Sequence, residues 1–161
     1  MPSVTLAPEV KVLVDLVDEA FDRRAWHGTN LRGAVRGLRE ADVAWRPGPG
    51  RHNVWEIAVH AAYWKYAVWR RLTGGKRAQF RLKGSNWFTR PDGSDRGWRE
   101  DLALLDEMHA QLREAVGRLD PAALDRRDTG RFTTAALVRG IAAHDLYHAG
   151  QIQLVKRLRR G

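Results

Sequence analysis

The 161-residue sequence contains no cysteine, which excludes a disulfide scaffold, a zinc ribbon, a thiolate-held cluster and a cysteine nucleophile. No apolar run approaches the roughly 18 residues that a membrane span requires. The opening stretch MPSVTLAPEVKVLVDLVDE becomes acidic and amphipathic too soon for a signal peptide. A cytoplasmic protein without a membrane partner is therefore expected. Sustained period-two alternation, the mark of a half-buried strand, is missing as well. What remains is a chain with 43% hydrophobic residues, enough to bury a core within one domain spanning residues 1–161.

Charge is unbalanced: 28 Lys and Arg against 19 Asp and Glu leave a net +9. Such a value suits nucleic-acid binding. The basic residues are nevertheless dispersed, apart from Lys156, Arg157, Arg159 and Arg160 at the tail. No recognition-helix motif, zinc-finger spacing or aromatic RNA signature accompanies them. A solvated basic surface is expected, with no specific nucleic-acid partner.

Apolar residues recur at three- and four-residue steps in four long stretches. From Pro8 to about Arg24 the stripe is Val10, Leu13, Val14, Val17, Ala20 and Phe21. A second helix starts at an Asn53/Glu56 capping box, carries Ile57, His60, Ala61, Trp64 and Val68, and stops at Gly74-Gly75. Asp95 can cap a third, with Trp98, Leu102, Leu105, Met108, Leu112 and Val116. Thr133 or Thr134 opens the last, whose face reads Leu137, Ile141, His144, His148, Ile152 and Val155. Two short helices, Leu31 to Glu40 and Asp120-Pro121 to about Arg126, complete the pattern. Each stripe needs the others for burial, so the expected fold is an all-α four-helix bundle. About two dozen residues, GGKRAQFRLKGSNWFTRPDGSD, separate the second and third long helices. That is a crossover length, far beyond a short antiparallel connection, so these two helices can run parallel. The aromatics Phe80, Trp87 and Phe88 make the crossover a packed strap in preference to a lid.

His144 and His148, four residues apart, present both rings on one helix face. His60 projects from the apolar stripe of the second helix. Three buried imidazoles each need a partner, and one shared divalent ion satisfies three ring nitrogens at once. Three neutral donors leave a coordination position open, as catalytic sites do. Asp145 points about 100° away from His144 and is not expected to be a ligand.

The segments WEIAVHAAYWKYAVWRRLTG and HDLYHAGQIQLVKRL resemble the two signature helices of the DinB/YfiT superfamily, and WHGTNL with the Trp98 helix resembles one of its subgroups. The resemblance implies an up-down-down-up bundle, a homodimer, and a divalent metal, zinc or nickel, held by His60, His144 and His148. It further implies an enzyme employing a low-molecular-weight thiol, of the S-transferase or isomerase kind, acting on a small-molecule substrate. A metal-dependent hydrolase, a nucleic-acid-binding module and a structural, stress-related bundle are the alternatives.

Three secondary site candidates accompany the triad. Tyr147 and Gln151 follow the His pair at helical spacing, and Gln151 can bond a ligand water or the ring of His148, or else bridge helices. His27 can act as an acid or base, although a helix-capping role suits it better. His52 and His109 are expected in a loop and on the surface, respectively.

Overall fold

The computed structural model describes residues 6–75, 80–90, 93–128 and 130–161. The opening residues 1–5, and residues 76–79 and 91–92 of the crossover, lie outside them. Among the described residues the chain is all-helical, with four long helices and two one-turn helices: α1 Pro8–Phe21, α2 Leu31–Ala34, α3 Glu40–Val43, α4 Val54–Thr73, α5 Asp95–Gly117 and α6 Thr134–Arg160. A 3₁₀ turn at Pro121–Ala123 occupies the other short expected segment. No helix among them is long and apolar enough to cross a membrane.

Local chemistry sets the boundaries. The capping box at Asn53 forms: its side chain accepts from Glu56 N at 2.8 Å, and Glu56 accepts from Asn53 N at 3.4 Å. Gly74, at φ 68°, closes α4 in the left-handed region that glycine adopts freely. Thr133 caps α6.

Three boundary expectations are corrected. Ser94, rather than Asp95, caps α5 through its hydroxyl on Gly97 N; Asp95 accepts from Glu40 N at 2.8 Å and so ties the start of α3 to α5. The first helix ends at Phe21, because the N–H groups of Asp22 and Arg23 both fold back onto Asp18 O. The short helix expected from Leu31 to Glu40 is two separate turns, broken around Gly37 at φ 72°.

Residue pairs give the helix directions. Trp55 with Asp101 and Lys65 with His109 advance together along α4 and α5, so these two helices are parallel. His60 meets His148 while Trp64, one turn further along, meets His144, so α6 opposes α4. Asp18 with Arg113 and Phe21 with His109 make α1 oppose α5. The course is up-down-down-up, and the long connection after α4 is the parallel crossover.

The core has two apolar clusters. One gathers Leu31, Trp55, Leu105 and Ile152. The other gathers Val14, Val68, Leu112, Val138 and Ile141. At their junction lies a polar layer with one side chain from each long helix: Asp18, Lys65, His109 and Asp145, all buried. Lys65 Nζ donates to Asp145 and lies 3.4 Å from His109 Nδ1. His109 is thus a core residue and not a surface one. It stacks on Phe21 with ring centroids 3.8 Å apart, and burial pushes its imidazole well below the usual range.

Candidate metal centre

Helices α4 and α6 bring His60, His144 and His148 to one point beside the polar layer. One ligand atom from each lies within 4.8 Å of the others, a group able to hold a metal ion. His144 Nε2 is 3.2 Å from His60 Nε2 and 3.0 Å from His148 Nε2. Nitrogens on a tetrahedral ion with bonds of 2.0–2.1 Å lie about 3.3–3.4 Å apart, so these two separations approach what such an ion needs.

Proton bookkeeping supports the same fit. His60 Nδ1 sits 2.7 Å from the Asn86 carbonyl oxygen, which can only accept, so Nδ1 carries the hydrogen. His148 Nδ1 sits 2.6 Å from Gln151 Oε1 and donates likewise. In the neutral rings both Nε2 atoms are therefore bare lone pairs, and both face His144. A proton on His144 Nε2 can satisfy only one of them. Among the described residues, buried His144 Nδ1 has no hydrogen-bond partner. Every neutral arrangement leaves a buried ring nitrogen unsatisfied, which is costly; a cation shared by the three Nε2 atoms removes the conflict among them.

The rings are held in their neutral, ligating form. Burial pushes His60 down to about 4, with the His148 and His52 charges adding and the Asn86 carbonyl opposing. Burial pushes His144 down to about 3, aided by His148, His60 and Lys65. His148 is lowered by burial, partly offset by Gln151.

The crossover supplies the roof. Trp87 is sandwiched between His52, with centroids 3.5 Å apart, and His60, at 3.9 Å. His52 is a loop residue as expected, and Glu56 holds it at 3.0 Å while also gripping Arg46. Asn86, at φ 65°, uses its backbone oxygen on His60 and its side-chain oxygen on Trp64 Nε1, 3.0 Å away. Non-glycine residues at positive φ concentrate at functional sites. Sequence reading placed Trp87 in a strap but missed Asn86. Its only sequence signal is membership of the Gly-Ser-Asn run, where Asn tolerates the left-handed region.

The profile of the DinB superfamily matches residues 23–152. The chain belongs to the DinB superfamily. The match includes the crossover and all three imidazoles. No curated protein and no solved structure matches the chain. Around the DinB triad, Gln151 bonds the ring of His148, one of its two sequence readings, and its amide nitrogen lies 3.3 Å from Tyr147 Oη. Tyr147 is exposed and edge-on to His148. His27 is exposed, and among the described residues it makes no contact with the three rings; the early end of α1 leaves it in the following turn. Asp145 faces Lys65 and is no part of the group.

Proposed function

We propose that this DinB protein is a divalent-metal-dependent enzyme that transfers an external low-molecular-weight thiol to a small electrophilic substrate, with zinc or nickel on His60, His144 and His148. The observation that carries the reading is the convergence of three Nε2 atoms, from two buried histidines and the half-buried His144, two of them stripped of hydrogen by fixed acceptors on the opposite ring nitrogen. An ion held there by the three imidazoles would supply Lewis acidity, lowering the pKa of a thiol or water toward neutrality.

The chain's own residues do the rest. Asn86 O and Gln151 Oε1 keep the protons on Nδ1 and fix both ring planes. Trp87 covers one face of His60 and keeps water from that side. Tyr147 presents its hydroxyl beside His148, where it can bind substrate. With no cysteine in the chain, the sulfur comes from outside. The cytoplasm, rich in such thiols, is the location that fits. A homodimer through α6 accompanies the reading, since Leu154 and Leu158 stand exposed on that helix. No sequence-specific nucleic-acid partner is proposed.

The test is turnover of activated electrophiles by metal-loaded protein, with and without added thiol, beside a His148→Ala control. Turnover that needs thiol and is lost in the control is expected. Equal turnover without thiol turns the assignment to a hydrolase, and activity surviving in the control removes the metal from the mechanism.

A further inference from the structure

A groove of about 230 Å³ lies between α4 and α6, running from His144 to Arg71. Its walls are Trp64, Val68, Ala136, Leu137 and Ile141, with exposed Phe132 at the far end. No carboxylate among the described residues lines it. Arg71 makes no hydrogen bond or ion pair with any described residue, although Arg32, Arg46, Arg90 and Arg113 all hold carboxylates. The Arg131 guanidinium lies 5.9 Å from the centroid of the Phe132 ring, adding a second cation at that end. One end of the groove thus carries a metal-competent imidazole, the middle is apolar and the other end is cationic.

Gly140 lines the same groove from the interior of α6. Glycine there weakens the helix relative to alanine. Its φ is ordinary, and an added Cβ would meet nothing within 4 Å. Packing therefore gives no reason for glycine. What its missing side chain does is leave the groove open beside Ile141 and His144.

We infer that this groove binds an elongated apolar molecule with a carboxylate head, the head on Arg71 and the apolar body along Val68, Ile141 and Gly140 toward His144. Guanidinium recognises carboxylate through parallel N–H donors. The seven helical steps from Leu137 to His144 span about 10.5 Å, so a medium-length chain fills the groove. Assigning this molecule as the substrate rests on the enzymatic reading above; its binding does not.

Calorimetric titration of the metal-free protein with octanoate, and with octanol as the uncharged control, tests the inference. Octanoate is expected to bind the unsubstituted protein and to bind Arg71→Gln about tenfold more weakly, the scale of a hydrogen bond to a charged group. Octanol binding should be unchanged by Arg71→Gln. Gly140→Leu, at a position where an added Cβ meets nothing within 4 Å, puts a side chain into the groove and should weaken both ligands, while thermal melts report that the bundle is intact. Octanoate that fails to bind the unsubstituted protein, or binds both variants equally well, overturns the inference. Because no metal is present, octanoate binding in a protein that refuses metal ends the enzymatic reading alone, and metal binding without octanoate binding ends the groove assignment alone.

Discussion

The backbone oxygen of Asn86 lies 2.7 Å from Nδ1 of His60, so a residue in the crossover decides which nitrogen of a helix residue is free to bind. The loop is thereby part of the centre and not only a connection. Its conformation matters, because Asn86 occupies the left-handed region at φ 65°.

Asn86→Val places a β-branched residue where the backbone disfavours it, at a cost of about 1–2 kcal/mol, whereas Asn86→Gly suits that conformation and keeps the carbonyl in place. The valine variant is expected to be the less stable in urea and to mix the tautomers of His60. Nitrogen NMR of the imidazoles reads the tautomer directly. Identical stability and tautomers in the two variants would show that the loop does not set the ring.

Trp87 covers His60, and burial is the main cause of that ring's lowered pKa. Trp87→Ala should therefore raise His60 from about 4 toward 6.5, as followed by ring-proton shifts during a pH titration. His109, deep between α1 and α5, serves as the internal control and should not move.

Stability of the metal-free protein is expected to fall as pH drops. His60 and His144 have folded-state values of about 4 and about 3, against 6.5 when unfolded. Between those limits the unfolded chain binds more protons, so stability present above about pH 6.5 is lost progressively down to about pH 3. Urea midpoints across that window measure it. A His60→Gln/His144→Gln variant should show a flatter dependence over the same range.

Lys65 and Asp145 form a fully buried pair in the polar layer. Lys65→Met leaves the Asp145 carboxylate without its partner and should cost about 3–5 kcal/mol, whereas Lys65→Met/Asp145→Leu should recover much of that loss. Chemical denaturation of the two variants decides. A single variant as stable as the parent would mean that Asp145 is neutral in the fold.

The four stripes and the length of the crossover made the bundle and its parallel α4–α5 pair legible, since each stripe offers one face for burial. The positions of His60, His144 and His148 on those stripes likewise foretold that the rings would converge. The polar layer was not read, because Lys65 and Asp145 become intelligible only as a pair contributed by two helices eighty residues apart in sequence. His109 was misplaced for a similar reason: its burial depends on Phe21 from α1 and Lys65 from α4. The role of Asn86 resides in a backbone oxygen, which no side-chain pattern reports.

The central claim, that three imidazoles form one metal site, is tested most directly by X-ray absorption spectroscopy on protein loaded with one equivalent of zinc or nickel. Three imidazole nitrogens at about 2.0–2.1 Å and one ion per chain are expected, with both lost in His144→Ala. A spectrum without imidazole scattering, or binding unchanged in His144→Ala, would contradict it.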